Sequence, residues 1–374
     1  MTTFATSGGT KKYAARFGTR AAAGHFREQQ GLWLSSLGIG TYLGEPDERT
    51  DRAYTDAIVA AVEAGANVID SAINYRFQRS ERSAGAALAE LGRRGFGREE
   101  LLLCTKGGFL TPDGSMPADA SEYFNHEYVE TDILREGDVA AGCHSMAPRF
   151  LADQLERSRR NLGVESIDVY YLHNPETQLG EVPREMFNSR VRAAFEFLES
   201  AVAAAKIHFY GLATWNAFRQ NENAQDFLSL AAMESLARDV AGGSHHFRFV
   251  QLPCNLGMTE ALTRANQALD QVKDAQRVPI VEAANKLGIT LVASASMLQG
   301  QLSRGLPSFV TAALGMKNDA ERALQFVRST PGITTALVGM SRAEHVAANL
   351  SLVGASPASQ DQFSRLFERG KQAQ

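Results

Sequence analysis

Cysteine is nearly missing from this chain of 374 residues: Cys104, Cys143 and Cys254 stand far apart, with no CxxC or Cys/His metal spacing. An odd count at that density excludes a disulfide framework and suits a reducing compartment, so a cytoplasmic protein is expected. Cys104 and Cys254 lie in apolar stretches, where a thiol behaves as a small buried hydrophobe. Charge of one sign is missing too. The 38 basic and 42 acidic residues leave a formal net charge of −4, which gives no field to recruit nucleic acid or an anionic membrane. No apolar run approaches membrane-spanning length. Residues Met1 to Gln30 lack the basic start, apolar core and small-residue cleavage site of a signal peptide. A glycine-rich phosphate loop is also absent. Gly38-Ile39-Gly40 after the first strand has no third glycine at the spacing that an open, doubly wound dinucleotide fold requires.

What the chain does have is an ordinary globular composition, 44% hydrophobic and 21% charged, and a steady change of apolar period. Short continuous runs, read as buried parallel strands, alternate with stretches of helical spacing. Strands are expected at Leu37–Tyr42, Asn67–Ser71, Leu101–Thr105, Ile167–Leu172, His208–Ala213, Phe247–Leu252, Thr290–Ser294 and Thr334–Val338. Helices are expected at Asp51–Ala64, Ser80–Leu91, Ala147–Leu162, Arg184–Ala205, Ala224–Val240, Thr263–Leu287, Asp319–Ser329 and Arg342–Leu352. Eight strand–helix units are the number that closes a (β/α)8 TIM barrel of the α/β class. The barrel would span residues 31–356, after an N-terminal extension (1–30) and before a C-terminal segment (357–374) whose helix, Ser359–Lys371, packs on it.

Long loops are expected at the C-terminal face of the strands. Gly107 to Met146 is about three times longer than a routine βα connection, and smaller expansions cover Asn174–Pro183 and Pro253–Glu260. Barrel enzymes build their pockets on that face. Carrying Tyr123, Phe124 and Tyr128, the longest segment is expected to form a wall or lid of such a pocket.

Four polar residues sit at or just past strand ends: Asp70, Tyr75, Lys106 and His173. Individually each has a structural reading, as a loop cap, a half-buried aromatic, an ion-pair partner or a wall residue. Together, a phenol, an amine, a carboxylate and an imidazole suit proton transfer to a carbonyl oxygen. A free phenol titrates near 10, so Lys106 would be needed to favour the phenolate, and Asp70 to hold the lysine charged. His173 would direct the carbonyl, and preorganised donors would stabilise charge developing on its oxygen. The set contains no nucleophile with its base and no metal-ligand cluster. Its natural partner is a hydride donor, a bound nicotinamide.

Val68-Ile69-Asp70-Ser71-Ala72 with Tyr75, Leu103-Cys104-Thr105-Lys106, and Ile167 through Pro175 around His173 resemble the motifs of the aldo-keto reductase family. The resemblance runs from about Leu37 to Leu352. It implies an eight-stranded barrel interconverting carbonyls and alcohols with NADP(H), with Tyr75 as acid/base and Asp70, Lys106 and His173 in support. For the cofactor it implies Gln251 and Thr214 near the carboxamide, where Ala213-Thr214 replaces the usual Ser-Asn pair. Ser294 takes the place of the family's ring-stacking aromatic, and Gly300 lies in the loop that crosses the pyrophosphate. Ser341, Arg342, His345 and Asn349 resemble the grip on the adenosine end. Arg342 would meet a 2′-phosphate, which favours NADP(H) over NAD(H), and Ser341 would cap the helix. The expected partner is a small carbonyl or alcohol: an aldehyde, a ketone or a sugar-like molecule. A cofactor-binding regulatory or channel-associated barrel with little turnover is the alternative.

Overall fold

The structure, a computed structural model, describes residues 3–269 and 276–368. Eight parallel strands close into a barrel in sequential order. They are β1 (Leu37–Gly40), β2 (Val68–Asp70), β3 (Leu102–Gly107), β4 (Ile167–His173), β5 (Ile207–Ala213), β6 (Phe247–Pro253), β7 (Thr290–Ser294) and β8 (Ile333–Gly339). Pairing of Ala336 through Gly339 with Leu37 through Gly40 closes the ring. The helices returning between strands are α1 (Glu48–Glu63), α2 (Arg79–Arg93), α3 (Pro148–Leu162), α4 (Arg184–Ala203), α5 (Leu230–Ala241), α6 (Ile280–Leu287), α7 (Asp319–Ser329) and α8 (Ala343–Leu350). The fold is the (β/α)8 barrel that the strand–helix rhythm predicts.

Local chemistry explains most boundaries. Asp47 caps α1 by accepting the Thr50 N–H at 2.7 Å, and Asn318 caps α7 by accepting from Glu321. Proline at the first position starts α3, and Gly163, in the left-handed region at φ 65°, ends it. Two expected helices are corrected. The stretch Thr263–Leu287 is not one helix: α6 begins only after Pro279, whose ring and missing N–H cannot sit inside a helix. Ahead of it, Gln267–Ala268 pairs antiparallel with Arg277–Val278, while residues 270–275 of the expected helix lie outside the described residues. Expected from Ala224, α5 starts at Leu230, where the Ser229 hydroxyl accepts the Ala232 N–H. The final helix runs Gln360–Glu368, and the last residues of its expected range lie outside the described ones.

Strand alternation builds two apolar layers. One side of each strand packs against the helices, with Ile69, Leu103, Tyr170, Leu212 and Val250 in that outer core. The other side fills the barrel, where Val68, Leu102, Cys104, Val169, Tyr171, Phe209, Phe249 and Val292 cluster. Leu32 and Leu34 join this interior from an N-terminal hairpin, Phe26–Gln29 paired with Leu32–Ser35. Its two-residue turn has Gln30 at φ 51° and Gly31 at φ 73°, the sign pattern of a type I′ turn. The hairpin therefore plugs the N-terminal end of the barrel and leaves the C-terminal end open.

Asp168 ties the lower end of the barrel together. Its buried carboxylate accepts the Ala5 N–H at 2.5 Å, the Leu103 N–H at 2.7 Å and the Arg98 guanidinium at 2.7 Å. Asp168→Ala strands those donors and should cost about 3–5 kcal/mol in urea unfolding, as breaking a buried pair does. Asp168→Asn, which keeps an acceptor, should cost visibly less. Equal losses for both would show that the hydrogen bonds are not what matters.

Candidate active site

Period two along each strand decides which side chains face the barrel axis. From Val68 the inward side reaches Asp70, from Leu102 and Cys104 it reaches Lys106, from Val169 and Tyr171 it reaches His173, and from Phe249 it reaches Gln251. Asp70, Lys106 and His173 are the last inward positions of their strands, and Gln251 lies one inward step below the end of β6 at Pro253. The expected tetrad is thereby brought together: Asp70, Lys106 and His173 on strands, and Tyr75 on the turn that follows β2.

Lys106 is fully buried. Its ammonium donates to Asp70 Oδ2 at 2.5 Å and to the Ser71 carbonyl at 2.7 Å. Burial opposes that charge, but Asp70 and Tyr75 together more than offset it and hold the amine above its ordinary range. Burial pushes the Asp70 carboxyl up, against the pull of Lys106 and of the Gln251 amide. At neutral pH the proton of this pair therefore sits on Lys106. The Gln251 amide donates to Asp70 Oδ1 at 2.7 Å. One of its two amide N–H groups is thus committed to the tetrad, and the residue also lines the cavity.

The Lys106 ammonium lies 4.7 Å from the centroid of the half-buried Tyr75 ring. Lys106 pulls the Tyr75 phenol down as expected, but it does not set the net direction. Burial is the largest influence on the Tyr75 phenol and raises it above its ordinary value, with Lys106 pulling only part of the way back. The phenol therefore stays protonated at neutral pH, as a proton donor must. His173 stands edge-on to Tyr75 at 5.7 Å between centroids and edge-on to Phe109 at 5.1 Å. Burial first, then Lys106 and His144, hold its imidazole well below the usual histidine range. The ring is neutral, and its buried Nδ1 has no partner.

Asp70, Tyr75, Phe109, His173 and Gln251 line a cavity of about 510 Å³, with Lys106 buried behind Asp70. Thr214, Ser294 and Gly300 line it as well, whereas Ser341, Arg342, His345 and Asn349 do not. Arg342 and His345 are exposed, Ser341 is half-exposed and Asn349 is buried. The groove still points their way, since Val338 and Gly339 form part of its wall. The expected Ser341 cap is corrected: Arg342 is the extended residue before α8, and the Val346 N–H bonds to its carbonyl.

The cavity also uses residues the sequence reading did not single out: Thr41, Tyr42, Phe109, Asn174 and Trp215. Asn174 adopts the left-handed region at φ 46°, and its N–H bonds to the Ala213 carbonyl, pinning the exit of β4 to the exit of β5. Glu176 is buried and accepts the Trp215 and Asn216 N–H groups at 2.8 and 3.1 Å, fixing the loop that carries Thr214. An asparagine directly after the strand-end histidine was a readable signal, whereas the reach of Phe109 and Trp215 into the cavity was not.

The fit to a nicotinamide cofactor rests on unpaired polar atoms. Thr214 Oγ1, Ser296 Oγ and His173 Nδ1 are buried without partners, on residues that line one cavity. Such atoms want a polar ligand, because leaving them dry is costly. Among the described residues, no three His, Cys, Asp or Glu side chains gather as a metal site would need.

The chain matches the model of the aldo/keto reductase family over residues 36–305 and belongs to that family of oxidoreductases. It is 25% identical to the aldo-keto reductase YhdN of Bacillus subtilis (strain 168) over 196 residues, 48% of this chain and 49% of that protein. It is 29% identical to an NADH-specific methylglyoxal reductase of Escherichia coli (strain K12) over 148 residues, 38% of this chain and 39% of that one. These alignments thus span about half or less of the curated relatives. The fold is similar to that of an aldo/keto reductase of Klebsiella pneumoniae in complex with NADP and acetate. In that comparison the TM-score is 0.58 at 19% identity, covering 92% of this chain and 94% of the other.

The long segment supplies a wall at Phe109, but not through the later aromatics from which a wall or lid was expected. Tyr123, Phe124 and Tyr128 are not among the cavity's walls. Tyr128, Leu134 and Phe150 instead form a separate apolar cluster with Phe124 packed on it, seating the long segment on α3. The Tyr128 hydroxyl donates to the Thr111 carbonyl at 3.0 Å, and Arg157 of α3 lies over its ring. Aromatic residues of a long loop bury themselves on the nearest apolar ridge, and here that ridge is a helix rather than a substrate. Phe109→Ala should therefore shift KM across a carbonyl panel with little change in Tm. Tyr128→Ala should do the reverse, losing about 3–5 kcal/mol of stability by analogy with other large aromatic truncations. Finding the two effects exchanged would restore the lid.

Proposed function

We propose that the chain interconverts a carbonyl and an alcohol by hydride transfer with NADP(H), and that Tyr75 is the proton donor and acceptor. The observation that carries this reading is the convergence of Tyr75, Lys106, Asp70 and His173 at one cavity on the open end of the barrel. Bound nicotinamide supplies the hydride. The rest belongs to the protein. Tyr75, kept protonated by burial, gives its proton to the substrate oxygen. Lys106 limits how far burial raises the phenol, and Asp70 keeps Lys106 charged. Neutral His173 offers a ring N–H that fixes the direction of the carbonyl. Fixed donors around that oxygen stabilise the charge that develops on it. Thr214, Ser294 and Gly300 would hold the nicotinamide and pyrophosphate portions, while Gln251 chiefly braces Asp70. Arg342, exposed and without an ion pair among the described residues, would meet a 2′-phosphate, with Ser341, His345 and Asn349 nearby. That placement supports NADP(H) over NAD(H).

Tyr42, Phe109 and Trp215 give the cavity aromatic walls, which suits an aldehyde, ketone or sugar-like substrate with an apolar or ring face. A reducing compartment such as the cytoplasm suits the three free thiols, and no described helix is long and apolar enough to cross a membrane. The direct test follows NADPH and NADH absorbance against aldehydes, ketones and sugars. Tight NADPH binding with no carbonyl-dependent oxidation would point to the regulatory alternative.

Tyr75→Phe should cut turnover roughly 10²–10⁴-fold with cofactor binding nearly intact; retention of most of the wild-type kcat would remove Tyr75 from its role. Lys106→Met frees burial to raise the phenol further. In the alcohol-oxidising direction, where the phenolate is the base, the rise of kcat with pH should therefore move to higher pH. An unmoved profile would show that Lys106 does not tune Tyr75. Arg342→Ala should weaken NADPH binding by roughly tenfold, in line with one exposed charge-assisted contact, and leave NADH almost unchanged. Equal effects on both cofactors, measured by fluorescence titration, would exclude Arg342 as the phosphate ligand.

A further inference from the structure

At the plugged end of the barrel, opposite the active site, two guanidinium groups share one cavity without a carboxylate. The cavity, about 290 Å³, is lined by Arg27 and Gln29 of the hairpin, by Arg328 through Thr334 at the turn from α7 into β8, and by Pro357. Arg328 is completely buried. Its guanidinium donates to the Leu352 and Ala355 carbonyls, but its buried Nε has no partner. Arg27 donates to the Ile333 carbonyl at 2.5 Å and to the Arg328 carbonyl. Every one of these acceptors is a backbone dipole. None carries a charge.

A fully buried cation and a half-buried one in the same cavity are unfavourable unless something compensates them. No acidic group does so here. Among the described residues neither arginine forms an ion pair, and Glu28, beside Arg27 in sequence, is exposed. Burial alone holds Arg27 down to about 10, and burial with repulsion from Arg27 holds Arg328 down to about 9. Nearby His25 adds no charge: burial first, offset in part by its bond to the Gly65 carbonyl, leaves it at about 4. The C-terminal end of α7 contributes a partial negative charge, which offsets only part of one cation.

We propose that this cavity is a binding site for a small oxyanion, of the phosphate, sulfate or carboxylate class, held by Arg27 and Arg328. Guanidinium matches such anions with paired N–H donors. Thr330, whose hydroxyl donates to the Phe326 carbonyl at 3.0 Å, is among the residues lining the cavity with Arg27 and Arg328. A bound anion would join the hairpin, the start of β8 and the C-terminal segment at one point, far from the cofactor groove.

The test is thermal unfolding of the full chain in increasing inorganic phosphate, sulfate or citrate, with chloride at matched ionic strength as the control. For the native protein Tm should rise by roughly 2 °C or more and saturate with at least one oxyanion, as linkage to a folded-state site requires. Arg27→Gln should abolish the saturating rise. Arg342→Ala should keep it, which separates this site from any phosphate contact near the cofactor. Because Arg27→Gln also removes carbonyl contacts, Arg27→Lys serves as a second variant: it keeps the charge and should keep part of the shift. Which anion gives the tightest saturation distinguishes a phosphate source from a carboxylate source. A rise that is linear, unsaturable and equal in native protein and Arg27→Gln is exclusion of the salt from the surface, and overturns the proposal. No difference from chloride overturns it as well.

Discussion

A single buried ion pair organises the upper half of this barrel. The Lys106 ammonium has no access to water and is stable there only because Asp70 and the Ser71 carbonyl receive its protons. An unpaired charge at that depth would cost more than most single interactions contribute. This requirement ties β2 to β3 in one register, with Asp70 opposite Cys104 and Lys106 on the next inward step. It also reaches across the barrel, because the free oxygen of Asp70 is taken by Gln251 of β6. Mispairing of these strands by one residue would turn every one of these groups outward.

The chemistry of the cavity follows from that pair. The positive charge adds to burial in holding His173 neutral, and opposes burial in setting Tyr75. One cation thus pushes two neighbours in the directions that a proton donor and a neutral hydrogen-bond partner need. Behind them, His144 bonds the His173 carbonyl at 2.8 Å and Gln178 meets the other ring nitrogen at 3.0 Å. Gly108, at φ 136°, passes so close that a Cβ there would lie 2.8 Å from the His144 ring. The support of the site is therefore packed as tightly as the site itself. At the other end of the barrel one buried and one half-buried guanidinium have, among the described residues, no such partner, and this contrast makes the lower cavity conspicuous.

Much of this was written in the local pattern of the chain. Apolar runs punctuated by turns gave the eight strands, because a strand buried on both faces cannot hide its composition. Asp70, Lys106 and His173 stood out since each is a polar residue ending such a run, a position that only a C-terminal barrel face makes useful. The helix expected over Thr263–Leu287 failed at Pro279, a backbone constraint that overrides apolar spacing. The N-terminal hairpin escaped notice because Phe26-Arg27-Glu28-Gln29 is mostly polar and its job, closing the barrel floor, exists only once the barrel does.

Other features could be settled only in three dimensions. Residue types and spacing named the tetrad, but the direction in which burial and Lys106 together move the Tyr75 phenol depends on depth, and depth is not local. Phe124 and Tyr128 carry the same aromatic signal as Phe109, yet they cluster with Phe150 of α3 while Phe109 faces His173. Arg27 and Arg328 lie 301 positions apart and become neighbours only when the hairpin folds beneath the turn into β8. Periodicity reports which face of an element is apolar and where a strand must end. Which polar groups then share a space, and with what charge, is decided by strand register and chain closure, interactions between residues that sequence neighbours do not encode.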